Sequence, residues 1–216
     1  MSSGSDRRTA PELPDGVSLW TFAEFAFLAG RADGTMCERS LELIGIDPGY
    51  VHDDGVVAAG LSSLVARQRA TAEGEGSAVR LGAAAAAVNT LLVADDVAAV
   101  YLYVPGDDDH LQPVSYLWNQ VSGMLCEASR FGTYTVVLRE ERDDQSMLEG
   151  VLLQAARTMS PDATMLVGRP GPEPDLEPIA LTAAADARDF DARWQWRGRS
   201  LTVPDVAARI LGTVTG

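Results

Sequence analysis

VAAVYLYVPGDDDHLQPVSYL, Val97–Leu117, has a second copy further along the chain, DATMLVGRPGPEPDLEPIAL, Asp162–Leu181. Pro105 and Gly106 match Pro170 and Gly171, Leu111 matches Leu176, Pro113 matches Pro178, and Ile179 stands for Val114. All of these matches fall at one ungapped offset of 65 residues, the distance from Pro105 to Pro170. Each copy reads as an apolar strand, a polar loop and a second strand, and each follows an alanine-rich helical stretch. Self-similarity at a fixed spacing is the mark of a repeated structural unit. The expected architecture is therefore α+β: an N-terminal helical segment, then a duplicated unit of helix plus antiparallel meander. Two meanders joined about a pseudo-twofold give one broad sheet with flanking helices.

Working outward from the two copies, the first meander continues through Gly123–Ala128 and Tyr134–Arg139. The second has strands near Thr164–Gly168, Pro178–Ala183, Asp191–Arg197 and Ser200–Val203. Helices are expected over Leu81–Ala94, Ser146–Met159 and Val206–Leu211, the last opened by Pro204-Asp205. Upstream, a helix is expected from Ser18, with Trp20, Phe22, Phe25, Ala26 and Leu28 on one face and Gly30 at its end. Gly34–Ile46 and Val56–Arg69 are the next two, with Asp53 or Asp54 capping the latter. Thr71–Ala78 reads as a linker and Met1–Gly16 as a flexible tail. The division is then residues 1–16, a helical subdomain over 17–75, and helix–meander repeats over 76–141 and 142–216.

Composition narrows the function classes. The chain has 216 residues, 46% of them hydrophobic and 22% charged, and carries a net charge of −14. That length supports one large domain or two small ones with a proper core. The acidity disfavours broad contact with nucleic acid or anionic membrane. All 17 basic residues are Arg. Without Lys there is no Schiff-base nucleophile, pyridoxal-phosphate lysine, Walker A lysine or kinase strand lysine. Cys37 and Cys126 form no zinc or redox spacing and read as free thiols of a cytoplasmic protein. The longest apolar run, Ala83–Ala94, is too short to span a bilayer.

Three successive N-terminal helices raise a DNA-binding reading. Val17–Glu75, however, holds nine acidic residues against four basic ones, Arg31, Arg39, Arg67 and Arg69, a poor footprint for phosphate. Asp107-Asp108-Asp109-His110 lacks a calcium or zinc ligand frame. His52 beside Asp53 and Asp54 has no nucleophile elbow to serve. No cofactor is expected. The most distinctive stretch is Arg193-Trp194-Gln195-Trp196-Arg197-Gly198-Arg199. Strand alternation puts the two Trp on one face and Arg193, Gln195 and Arg197 on the other. Arg and Trp are the residue types enriched at binding hot spots, so Arg193, Arg197 and Arg199 are the candidate protein-contact residues.

Asp54-Gly55 with the helix ending Leu64-Val65-Ala66-Arg67, the duplicated meander, and the Trp196-Arg197-Gly198-Arg199 hairpin together resemble the EspG-type chaperones of type VII (ESX) secretion. The resemblance implies a central antiparallel sheet with an internal pseudo-twofold. It also implies a cytosolic protein that binds PE–PPE substrate pairs and shields the apolar tip of PPE before export. It transfers no individual binding residue. The expected function is a non-catalytic chaperone or adaptor binding another protein, with no nucleic acid or membrane partner. The alternatives are a small acidic hydrolase-like enzyme with a carboxylate site between the repeats, and a DNA-binding regulator using the N-terminal helices.

Overall fold

A computed structural model describes residues 17–31, 35–73, 78–93, 98–105, 111–119, 122–129, 132–139, 143–158, 164–168, 176–183 and 192–214. The N-terminal tail and the two acidic loops after Pro105 and Gly168 lie outside the described residues.

The two copies form hairpins of a single sheet. The first is β4 (Ala98–Pro105) with β5 (Leu111–Trp118); the second is β8 (Thr164–Gly168) with β9 (Leu176–Ala183). β5 and β9 begin and end 65 residues apart, the spacing read from the sequence. β6 (Gly123–Ala128) and β7 (Thr133–Arg139) complete the first meander, β10 (Arg193–Trp196) and β11 (Arg199–Thr202) the second. With β1 (Val17–Thr21) the nine-stranded order is β1-β7-β6-β5-β4-β8-β9-β10-β11. The meanders meet at an antiparallel β4–β8 pair with Leu102 opposite Val167. Those residues are themselves 65 apart, so the pseudo-twofold passes between them, normal to the sheet. The hairpins are not identical: β5 pairs Val114 with Leu102, whereas β9 pairs the equivalent Ile179 with Met165, two residues short of Val167. An even shift keeps every side chain on its own face.

Cross-strand partners share a face, and the sheet has a core on each. Leu117, Met124, Cys126, Tyr134, Val136 and Trp20 point to one side. There they meet four helices: α1 (Phe22–Gly30), α2 (Thr35–Leu43), α3 (Asp54–Ala66) and α4 (Ala83–Val93). Val114, Tyr116, Met165, Val167, Ile179, Leu181, Trp194 and Trp196 point to the other, under α5 (Asp144–Thr158) and α6 (Val203–Val214). α5 follows β7 and α6 follows β11, and both lie on the same face, as a twofold normal to the sheet requires. α4 lies on the opposite face. The unit the fold repeats is thus meander then helix, rather than the helix then meander expected from sequence.

Several boundaries differ from the sequence expectation, each for a local reason. The first helix begins at Phe22, not Ser18. The Thr21 hydroxyl accepts from the Glu24 amide and the Glu24 carboxylate accepts from the Thr21 amide, a reciprocal cap that fixes the start. Val17–Thr21 instead pairs with β7, so Trp20 reaches the core from a strand. α3 is capped by Asp53, which accepts from Gly55 and Val56. It stops at Ala66 because Gln68 takes a left-handed φ of 59°. The expected linker is a two-stranded sheet of β2 (Ala70–Glu73) and β3 (Ala78–Leu81), seated by buried Ala70 and by Val79 and Leu81 against the helical core. Pro48–His52 forms a 3₁₀ turn after α2. α6 starts at Val203 because Thr202 and Asp205 cap one another.

Packing is tightest where α3 crosses α1. Gly60 sits against the Ala23 carbonyl, and an added Cβ would overlap it. On the same side Trp20, Phe25 and Tyr134 pack in sequence, the first pair tilted and the second edge-to-face, with ring centroids 5.7 and 5.3 Å apart. Fully buried aromatic and aliphatic side chains of this kind contribute about 1.5–3 kcal/mol each.

Candidate functional site

The pseudo-twofold makes the two halves of the sheet comparable position by position, and they differ on one face. In the first half the row Ser115, Cys126, Val136 runs across β5, β6 and β7. All three residues are buried on the side carrying α1–α4. The corresponding row of the second half is Thr164, Ala180, Gln195, Ser200 across β8 to β11. Thr164 and Ser200 are exposed there, while Ala180 and Gln195 are half-buried. Leu166 and Pro178, a cross-strand pair, flank this row on one side and Arg193 lies on the other. Among the described residues no helix lies over this face. Among the described residues the result is a ledge: a helical layer lies over one half of the sheet and no described helix lies over the other.

The residues of the open face suit contact with another protein. Ala180 and Gln195 are small or uncharged, Leu166 and Pro178 supply apolar surface, and Arg193 supplies an exposed cation at the border. Gly198 and Arg197 join β10 to β11 in a two-residue turn with φ of 76° and 49°, the mirror-image geometry that matches strand twist. The turn is clamped from behind. Glu177 accepts from Arg197 Nε at 2.8 Å, from a second Arg197 nitrogen, and from Trp196 Nε1 at 2.8 Å. Hydrogen bonds from Arg197 and then Trp196 hold the Glu177 carboxyl below its ordinary pKa of 4.5. Arg209 lies 4.9 Å over the Trp196 ring. The hairpin is preorganised by these contacts.

The three arginines singled out from sequence do not form one strip. Trp194 and Trp196 are buried, as alternation requires, and Arg193 projects on the opposite, open face. Arg197 sits in the turn, paired with Glu177. Arg199 lies opposite Trp196 across the hairpin, which puts it on the tryptophan side at the sheet edge. Cross-strand register overrides the simple odd–even count once a two-residue turn intervenes. Only Arg193 borders the open face.

Charged groups elsewhere have intramolecular employment. Glu24 is fully buried, within 3.7 Å of Arg67 and 3.6 Å of Arg69, and accepts from the Ser63 hydroxyl at 2.9 Å. Arg69 also lies 4.1 Å over Trp20, and burial lowers its pKa. Arg31 reaches the Val79 carbonyl at 3.4 Å. Three of the four N-terminal cations that a DNA-binding reading would need are thus occupied. His52 lies 3.8 Å from Glu38 with both side chains largely exposed. Among the described residues no three His, Cys, Asp or Glu side chains gather into a metal site. None of the described helices is long and apolar enough to cross a membrane.

Sequence reasoning missed the open face because nothing in Thr164, Ala180, Gln195 and Ser200 signals function; only the sheet order brings them into a row. It also missed the buried Glu24, although Thr21 and Glu24 carry the spacing of a reciprocal helix cap. No protein-family model matches the sequence, and no curated protein matches it.

Proposed function

We propose that the protein is a non-catalytic chaperone or adaptor that binds another protein on the open half of its sheet. The single observation behind this reading is the asymmetry of the two halves. The first half buries its Ser115–Cys126–Val136 row under the protein's own helices, whereas no described helix covers the equivalent row of the second, where Thr164 and Ser200 are exposed and Ala180 and Gln195 half-buried. A sheet face built to the same plan accepts the same kind of cover, so the partner presents helical surface. An acidic group on that surface would lie near Arg193. The resemblance to EspG-type chaperones supports a specific candidate, a PE–PPE pair held in the cytosol before type VII export.

Co-expression with the PE–PPE pair encoded nearest to it in its own genome, followed by size-exclusion chromatography, tests the function. The expected result is a single peak containing all three chains in equal amounts. Separate elution of the chaperone candidate and an intact pair counts against the reading.

A further inference from the structure

Among the described residues β1 ends the sheet, and the strand itself is neither charged nor interrupted. VSLWT contains no Pro, Lys, Arg, Asp or Glu, and Leu19 is 43% exposed. Uncovered edges of this composition pair with other strands, and folded proteins blunt them with charge, proline or a covering group. In an antiparallel ladder alternate residues turn their backbone groups to the partner strand. Phe22 continues the ladder to β7 by donating to the Gly132 carbonyl at 3.1 Å. Even-numbered residues therefore face β7, and Val17, Leu19 and Thr21 present their N–H and C=O groups outward.

Two of those outward groups are occupied by one cluster. The Leu19 carbonyl accepts from Arg67 at 2.6 Å and from Arg69 at 2.8 Å. The Thr21 amide donates to Glu24 Oε2 at 2.8 Å. Glu24 in turn holds both guanidinium groups. We propose that Glu24, Arg67 and Arg69 form an edge guard that keeps β1 from pairing with β1 of a second copy. The strand is self-complementary about Leu19: in an antiparallel pair Leu19 would face its own counterpart and Val17 would face Thr21. No like charges would oppose one another, so the guard is what excludes this pairing. The partner excluded is a second copy, in which an identical uncharged edge of the same length meets this one.

The test removes the two guanidinium groups that occupy the Leu19 carbonyl without leaving a buried charge unpaired, since a lone buried carboxylate would unfold the region for unrelated reasons. In Glu24→Gln/Arg67→Met/Arg69→Met the amide still caps α1 and the methionines still cover Trp20. Analytical ultracentrifugation should show this variant associating to about twice the mass of the wild type, with unchanged circular dichroism. Adding Leu19→Pro should restore the wild-type mass, because the Leu19 N–H points outward and its loss costs the β1–β7 ladder nothing. Arg67→Met alone, at a half-exposed position, should give partial association should the triple variant misfold. A folded variant that keeps the wild-type mass overturns the proposal, as does association that Leu19→Pro fails to reverse.

Discussion

Trp194 and Trp196 are neighbours on one strand, both buried, and they should respond oppositely to the same substitution. Trp194 is fully buried, and its indole N–H has no hydrogen-bond partner among the described residues. Trp196 is 3% exposed, and its N–H donates to the Glu177 carboxylate at 2.8 Å. Replacing either by Phe removes a similar part of a ring from a packed core, a loss of about 1–2 kcal/mol by comparison with other large-to-small changes. At position 194 the change also removes a buried, unpaired donor, which returns about 1–3 kcal/mol. At position 196 it breaks a hydrogen bond to a charged group, which costs about 1.5–3 kcal/mol more. Trp194→Phe should therefore come out near neutral and Trp196→Phe should lose about 2.5–5 kcal/mol, a contrast that does not depend on the shared packing term. Trp194→Ala, which empties the whole site, should cost about 3–5 kcal/mol. Urea unfolding followed by circular dichroism gives all three values. Equal losses for the two Phe variants, or a larger loss at 194, would refute the assignment of the indole donors and the packing drawn from it.

Gly60→Ala should destabilise by at least the 1–3 kcal/mol or so typical of overpacking, because the added Cβ meets backbone at Ala23 that cannot swing aside; a thermal melt within a degree of wild type would contradict the close α1–α3 crossing. The Glu177 clamp should show in pH dependence. Its folded pKa lies below the ordinary 4.5, so its stabilisation is present above that value and is lost as pH falls through the depressed one. Glu177→Gln should accordingly be less stable than wild type at neutral pH, with the gap closing in strong acid. A gap that widens on acidification has the wrong sign. Arg197→Ala combined with Arg199→Ala should cost no more than about 1 kcal/mol, since both side chains are largely exposed, and unfolding midpoints measure it directly.

The α+β class and the duplication were legible because they rest on pattern: matched residues at one spacing, and apolar runs of strand length. β5 and β9 came out at the expected offset since strand alternation is fixed by the residues themselves. What the chain order alone could not show was which face each helix covers. Nothing in the sequences of α4 and α5 names the face each covers, and only the packing of Val88 and Leu91 on one core and Leu148 and Leu152 on the other assigns it. β1 was misread because Trp20 and Phe22 keep helical spacing with Phe25, while the cap at Thr21 decides where the helix begins. The candidate site was the least legible part. Alternation places Arg193 on the open face, but it says nothing of Arg199, because the Arg197-Gly198 turn resets the register and puts it opposite Trp196. Ala180 and Gln195 acquire meaning only from a sheet face that no described helix covers.

Binding at the open face is the claim on which the functional account stands, and calorimetric titration of a PE–PPE pair, the proposed partner, into wild type and Ala180→Arg protein tests it most directly. Ala180 lies mid-row and half-buried, so an arginine there obstructs a docked helix while projecting away from the protein's own core. The account predicts tight binding to wild type, a loss of at least about tenfold in affinity (1.4 kcal/mol) for the variant, and unfolding midpoints that agree. Equal affinity for the two proteins would contradict the site, and no binding to either would contradict the function.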